Sequence, residues 1–402
     1  MSTGTRKESV TLSAKASRQG GLSLVELMIG LLLSVIVVGA LAELFVNITR
    51  SNQELAKTNS QIENARFAMT FVKNDIIHAG YFSGFVPEFD DLGFQEDPGD
   101  VPPNPLPDPC RPFTEWDNPV TEAAAYEAHR NYLLGVAVEV RDTMPADCTA
   151  TLTNKVDDTD LLVVRHANTC QGGDANCEAV NVNDLYMQTS NCNSDSERYL
   201  LDPNAPSMGL LQRNCTDVQP VRKFIQNIYY VRDWTHVEDD GIPALVRSRF
   251  EFGDSGPLGH QEPQVLVEGI ERFRVEVGID DTSDSGDPVD YTTAVAWADE
   301  TEWYTPTNRG DGIPDGAFVH CGTACSFDQL LNVVAIRVFL LARARQPTPG
   351  YVDTKDYILG GVTVDADDLD DEYKRHVFSS TLRLVNVSGR RETPFDPNEA
   401  SP

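Results

Sequence analysis

GGLSLVELMIGLLLSVIVVGALAELF, residues 20–45, decides how the chain begins to fold. From Leu22 to Ala42 run 21 residues with Glu26 as the only charge, close to the roughly 20 that a helix needs to span hydrocarbon. The preceding segment holds Arg6, Lys7, Lys15 and Arg18 against Glu8 alone, a basic flank that stays cytoplasmic by the positive-inside rule and puts the rest of the chain outside. A secretory signal would have a shorter apolar run and small residues on its far side. Here the small pair Gly20-Gly21 lies before the run and Glu43 stands near its far end. A plain uncleaved anchor satisfies the length but leaves Glu26 unexplained. A charge near the membrane centre costs roughly 2.5–3.5 kcal/mol even on the lenient insertion scale, and it marks a functional pairing by default.

Cutting the chain between Gly21 and Leu22 would create that partner. The new α-amino group would lie four residues from Glu26, one helical turn away on the same face. The residues G-LSLVEL resemble the class III signal of type IV pilins and type II secretion pseudopilins: a glycine before the cut, a hydrophobic first mature residue and a glutamate at mature position five. The resemblance implies cleavage after Gly21 and N-methylation of Leu22 by a membrane prepilin peptidase. It also implies pairing of Glu26 with the terminal amine of a neighbouring subunit. Leucine stands at Leu22 where phenylalanine is commoner in that family, which bears on the rate of cleavage.

Along the chain apolar residues continue at Leu44, Ile48, Leu55, Ile62, Ala65, Met69, Val72, Ile76 and Ala79, in helical steps. No proline interrupts 22–80, and Gly80 suits a left-handed helix end. The pattern predicts one helix over 22–80, membrane-spanning over 22–42 and in need of a partner sheet in its second half. Seven stretches read as strands from their β-branched and aromatic content: LLGVAVEV, DLLVVRHA, FIQNIYYVRD, ALVRSRFEF, QVLVEGIERFRVEVGI, NVVAIRVFLLARAR and HVFSSTLRLVN. Pro/Asp-rich and Asn/Asp/Ser/Gly-rich segments separate them, and Cys170 to Cys215 reads as an irregular, disulfide-pinned insertion. The expectation is an α+β chain: leader 1–21, long helix packed on an antiparallel sheet with long loops, a globular region 81–391 with a Cys-rich insertion at about 110–215, and a disordered tail 392–402.

Acidic residues number 62 against 32 basic, a net −30; without residues 1–21 the balance is 61 against 28, or −33. No Lys/Arg stripe is present, so nucleic acid is excluded as a partner and a solvated surface is the expected role of the charge. The eight cysteines, Cys110, Cys148, Cys170, Cys177, Cys192, Cys215, Cys321 and Cys325, form an even set that suits disulfides in an exported chain. Spacing alone leaves many connectivities open. Pairing near neighbours would join Cys110 with Cys148, Cys170 with Cys177, Cys192 with Cys215 and Cys321 with Cys325. CGTAC lacks the spacing of a zinc ribbon, so metal ligation is not expected.

The blocks ARFAMTFVKNDIIHAGYFSGF, IYYVRDW, DGIPALVR, LVEGIERFRVEVGID, VVAIRVFLLARA and YKRHVFSSTLRLVN, in this order, resemble the PilW family of minor pilins. They cover the helix and most of the chain after Phe224, leaving about 86–221 uncovered. The resemblance implies a type IV pilin-like α/β-roll and a structural role in a tip or priming complex that starts pilus growth. Its partners would be the prepilin peptidase, other minor and major pilins, the inner-membrane assembly platform and the membrane. It further implies a single-pass inner-membrane protein with a periplasmic C-terminal region that reaches the pilus or cell surface after assembly, in twitching and adhesion. Two rivals share parts of this pattern: a J-like pseudopilin of type II secretion, and a membrane-anchored periplasmic enzyme or binding protein.

Enzymatic readings find little support. FGDSGPLG around Ser255 resembles a serine-protease motif, but no matching His-containing block precedes it, and a Gly/Pro turn is the better reading. DDTSDSGDPVD, Asp280 to Asp290, alternates carboxylates before Gly286 as a calcium loop does. Ser283 and Ser285 stand where stronger ligands belong, however, and Thr292 replaces the closing glutamate, so a solvated acidic turn is expected and no cofactor is assigned. No P-loop, dinucleotide fingerprint or H-E-x-x-H is present.

Overall fold

The computed structural model describes residues 21, 23–87, 107–116, 123–181, 184–253, 257–283, 285–290, 307, 309–322, 325–365, 369 and 371–391. Leader 1–20, Leu22, Ser255 and the tail 392–402 fall outside the described residues. The chain divides into two units, Met1–Ala56 and Lys57–Pro402.

Helix α1, Leu24–His78, begins in the first unit and ends in the second. From Leu24 to Gln53 every described side chain is exposed, with Leu32 and Phe45 among the large apolar examples. Ser34 and Thr49 turn their hydroxyls back to the carbonyls of Leu31 and Phe45, 2.8 Å in both cases, so each of these two hydroxyls has a local acceptor. Leu44, Ile48 and Leu55, read in the sequence as part of the packed stripe, are exposed. In the second unit the buried stripe is Gln61, Ala65, Ala68, Val72 and Ile76, spaced by three and four. Small residues at 65 and 68 let the helix backbone approach the sheet closely, while Met69 is only partly buried. Two residues past the helix, Gly80 takes φ +74°, and its N–H donates to the Arg165 carbonyl at 3.0 Å.

All strand pairs in the second unit are antiparallel. The largest sheet runs β1 (Val138–Arg141), β2 (Leu161–Ala167), β5 (Arg222–Arg232), β3 (Tyr186–Thr189), β4 (Tyr199–Asp202), with β6 (Ala244–Phe252) also on β5 and both β7 (Leu258–His260) and β8 (Gln264–Glu268) on β6. Strand β5 is the hub: Arg222 and Lys223 pair with β3, residues 224–229 with β2 and residues 227–232 with β6. A second sheet of three strands has the order β13 (Arg375–Arg383), β10 (Val333–Arg343), β9 (Ile270–Ile279). A hairpin, β11 (Tyr357–Leu359) and β12 (Val362–Val364), lies over the outer face of β10 with Leu359 beside Leu341. The main core joins α1 to both large sheets, through Ile76 and Val72 with Tyr229, Phe273, Val338 and Leu340 among others.

Several strand expectations are corrected. LLGVAVEV is split: Leu133 and Leu134 belong to the end of α2, Ala123–Gly135, and only Val138 onward is strand. The Ala-rich start of α2 favours helix and Gly135 ends it. QVLVEGIERFRVEVGI is two strands, because Gly269 takes φ +78° with its N–H on the Pro243 carbonyl. HVFSSTLRLVN stops as strand at Arg383 and continues as helix α4, Val385–Arg391, after a short α3, Phe327–Leu331, earlier in the chain. The stretch from Cys170 to Cys215 is not irregular throughout: it contains the β3–β4 hairpin, which joins the large sheet through β5.

Buried charge fixes these layers. Arg165, fully buried on β2, donates to Gln226 Oε1 at 2.6 Å, the Val136 carbonyl at 3.0 Å and Glu139 Oε2 at 2.8 Å, and also to the Tyr132 hydroxyl. Burial alone would push the Glu139 carboxyl up, but Arg165 and Arg141 hold it below its usual range. The network ties α2 to β1, β2 and β5 with every partner satisfied, the condition under which a buried ion pair is tolerated.

Candidate assembly site

Gly21 is exposed and Leu22 lies outside the described residues. Next to them Ser23 and Glu26 make reciprocal bonds: the Ser23 N–H donates to Glu26 Oε2 at 2.9 Å, and the Glu26 N–H donates to Ser23 Oγ at 3.2 Å. This is a capping box at the start of α1. It gives Glu26 a role within the single chain that the membrane argument did not supply. The signal was present as Ser-x-x-Glu in Ser23–Glu26 directly before an apolar run. Within one chain the carboxylate therefore satisfies one of the free N–H groups at the helix start and lies where the helix dipole favours negative charge.

Downstream, α1 is the only helix among the described residues long and apolar enough to cross a membrane. Its second-unit half is held by polar groups as well as by the apolar stripe. Gln61 is buried and its Nε2 donates to the carbonyls of Ala342 and Lys374, at 2.5 and 3.1 Å. Asn64 Nδ2 donates to the Glu268 carbonyl at 3.2 Å. Near the helix end Asp75 collects three groups from the large sheet: His166 Nε2 at 2.9 Å, Asn227 Nδ2 at 2.9 Å and the Tyr229 hydroxyl at 3.0 Å. Burial, then Asp75, pushes the Tyr229 hydroxyl well above its ordinary range, so it donates as a neutral phenol. None of Gln61, Asn64 and Asp75 was singled out in the sequence; the signal was an amide or acid on the helix face that the apolar stripe marks as inward.

All eight cysteines are in disulfides: Cys110–Cys148, Cys170–Cys177, Cys192–Cys215 and Cys321–Cys325. Asp108 lies within ligand distance of Cys110 and Cys148. Those sulfurs are bonded to each other and offer no thiolate, while Asp108 accepts from the N–H groups of Cys110 and Asp147 at 2.9 and 2.8 Å. In the acidic run at 280–290 the described residues fold as a turn. Gly286 takes φ +86°, and the Ser283 N–H donates to the Asp287 carbonyl at 2.8 Å. Asp280 is directed away from that turn, accepting from the N–H groups of Asp311 and Gly312 at 3.1 and 2.9 Å and lying 3.6 Å from buried Arg391. In EDDGIP, Asp240 accepts from Thr235 Oγ1, the His236 N–H and the Ile242 N–H at 2.8, 2.9 and 2.9 Å, which uses the carboxylate to close the turn.

The class that these elements define is an α+β chain with an apolar N-terminal helix that continues into a half packed on antiparallel sheets, with four disulfides. The model of the PilW family, described as Type IV Pilus-assembly protein W, matches residues 228–386, from the middle of β5 into α4 and less than half of the chain. Among solved structures, one that is similar is a type IV-like pilin from Thermus thermophilus, with a TM-score of 0.25 and 13% identity, covering 58% of this chain and 81% of that one. No curated protein sequence matches the chain.

Proposed function

We propose that this chain is a non-enzymatic minor pilin resembling PilW. In this reading 22–42 holds it in the inner membrane with the leader cytoplasmic and the globular region periplasmic. Prepilin peptidase cuts after Gly21 and methylates Leu22, and the processed chain joins other minor and major pilins on the assembly platform to start a type IV pilus. The observation that carries the reading is the PilW match over residues 228–386 in a chain whose apolar helix opens with G-LSLVEL. The chemistry is charge neutralisation. The new amine of one subunit would pair with Glu26 of another, setting axial register, while lipid-facing helix surface becomes helix–helix contact.

Intact-mass and N-terminal sequencing of protein from the native membrane test the processing step. A methylated Leu22 terminus supports it; a start at Met1 or Ser2 overturns it. Glu26→Gln separates the two roles of the carboxylate, because glutamine at this position keeps the capping box and removes the charge. Loss of surface pili in that variant, at normal membrane levels, supports pairing with an amine, and normal piliation overturns it. A deletion strain that keeps its pili but retains secreted proteins in the periplasm would replace this reading with the type II secretion pseudopilin.

A further inference from the structure

Beside the last turns of α1, the face of β5 and β6 opens into a pocket of about 240 Å³ lined by Asp75, Asn227, Arg247 and Arg249 among others. Asn227 is 4% exposed, and its Nδ2 donates to Asp75 Oδ2, which fixes the orientation of the amide. Its Oδ1 is then a buried acceptor with no donor, and Arg247 Nε is a buried donor with no acceptor. The register places Asn227 opposite Arg249 and Tyr229 opposite Arg247, so these four side chains share one face. Diagonal neighbours of this kind are about 7–8 Å apart, within reach of long side chains. Each buried polar atom left without a partner costs about 1–3 kcal/mol, so a pocket carrying one of each sign is built to be filled by a polar group.

Charge defines what fills it. Three cations, Lys223, Arg247 and Arg249, and three carboxylates, Asp75, Glu178 and Glu251, line the pocket. Lys223 is engaged by Asp184 at 2.9 Å and Glu251 at 3.7 Å, and Asp75 by its three sheet partners. Among the described residues Arg247, Arg249 and Glu178 have no ion-pair partner. A simple anion would leave the Asn227 acceptor empty, and a simple amine would leave Arg247 Nε and the Arg249 guanidinium without an anion, the rest of Arg247 being shared with the Tyr229 hydroxyl. A zwitterion satisfies both. We propose that this pocket binds a free α-amino acid, its carboxylate on Arg247 and Arg249 and its ammonium donating to Asn227 Oδ1 on the side of Glu178. The volume falls below the roughly 300–1,000 Å³ of drug-sized sites, which fits a ligand of this size.

The test is titration calorimetry of the full-length protein in detergent micelles with each of the twenty L-α-amino acids, with acetate and methylamine as the two half-ligands. The expected result is saturable binding of at least one amino acid and none of either half-ligand. Arg249→Gln, at an exposed position, should weaken that binding by about tenfold or more with an unchanged circular dichroism spectrum, since a charge-assisted bond is lost. Arg247→Gln should do the same where it folds. No binding by any of the twenty, acetate binding as well as the best amino acid, or undiminished affinity in Arg249→Gln would each overturn the proposal.

Discussion

At the scale of single residues, two buried groups set opposite pH dependences. His260 Nε2 lies 2.8 Å from Gln226 Nε2, an amide donor, so that ring nitrogen accepts and the proton sits on Nδ1, directed to Ser248 Oγ at 3.1 Å. Burial, with Arg165 nearby, lowers the His260 pKa to about 3. Between that value and the ordinary one near 6.5 the unfolded chain binds the proton and the folded chain does not, so stability falls as pH drops through this window. His129, lowered to about 3 by burial and then Arg111 and Arg165, acts in the same direction. Asp280 works the other way. Burial pushes its carboxyl up to about 6 against the pull of Arg391, so its folded form holds a proton that the unfolded form has lost, and its contribution declines as pH rises from about 4 through 6. Denaturant midpoints measured from pH 4 to 7 should therefore show a shallower acid-side loss in His260→Gln and a steeper one in Asp280→Asn. Parallel profiles for wild type and His260→Gln would contradict the assignment of a neutral buried imidazole.

The legibility of single residues follows from whether their task is local. Glu26 stood out because a lone charge in an apolar run has few explanations, and its capping partner Ser23 is three residues away. Gln61 and Asp75 stayed hidden because their partners, Ala342, Lys374, His166 and Tyr229, lie at least 90 residues along the chain. No periodicity reports such partners. Cys110 and Cys148 were visible as chemistry, and pairing near neighbours joined them as the structure does, although spacing alone left other connectivities open.

At the scale of elements, the second sheet and its hairpin are joined through Arg375. This side chain is 1% exposed and donates to Glu271 Oε2 at 2.5 Å, Glu271 Oε1 at 3.1 Å and Asp371 Oδ2 at 2.6 Å. Asp353 lies 3.3 Å away. It thus connects β13 to β9 and to the segment that carries β11 and β12. Removing the guanidinium leaves three carboxylates facing one another, the case in which breaking a buried pair costs about 3–5 kcal/mol. Arg375→Ala should lose about that much in denaturant unfolding, and the triple change with Glu271→Gln and Asp371→Asn should recover part of it. A single-variant loss below about 1 kcal/mol would mean that solvent already screens the cluster. A second element test lies at the end of α1. An added Cβ on Gly80 would come within 2.7 Å of Val387 Cγ2 while the backbone holds φ +74°. Gly80→Ala should therefore cost more than the roughly 1 kcal/mol of a left-handed alanine alone, read as a lowered thermal midpoint. The long helix was legible from apolar residues in steps of three and four with no proline to interrupt them, and β2, β5, β6 and β10 from long β-branched and aromatic runs. The α2–β1 boundary and α4 were not. In LLGVAVEV one apolar run serves a helix end and a strand start. In VNVSGRR two valines that favour strands are drawn into α4 by burial of Val387 and by Arg391, whose guanidinium donates to Asn332 Oδ1 and the Leu331 carbonyl.

At the scale of the molecule, the division at Ala56–Lys57 separates two kinds of stability. Residues 24–53 bury nothing within the chain, so their order depends on lipid or on other helices. The unit from Lys57 carries its own core and all four disulfides. A fragment of residues 57–402 exported to an oxidising compartment should therefore be soluble and unfold cooperatively, whereas the full chain needs detergent. Reduction should weaken that fragment unevenly. In the chain-entropy account a bond closing 38 residues, Cys110–Cys148, contributes about 4 kcal/mol, and one closing four residues, Cys321–Cys325, about 2 kcal/mol. Cys110 and Cys148 are also packed beside Leu161, Val163 and Tyr230, so replacing them disturbs a second cluster under the large sheet. The double change Cys110→Ser with Cys148→Ser should lower the denaturant midpoint of the fragment further than Cys321→Ser with Cys325→Ser. Equal losses would show that native packing near each bond, and not the freedom of the unfolded chain, governs what the disulfides contribute.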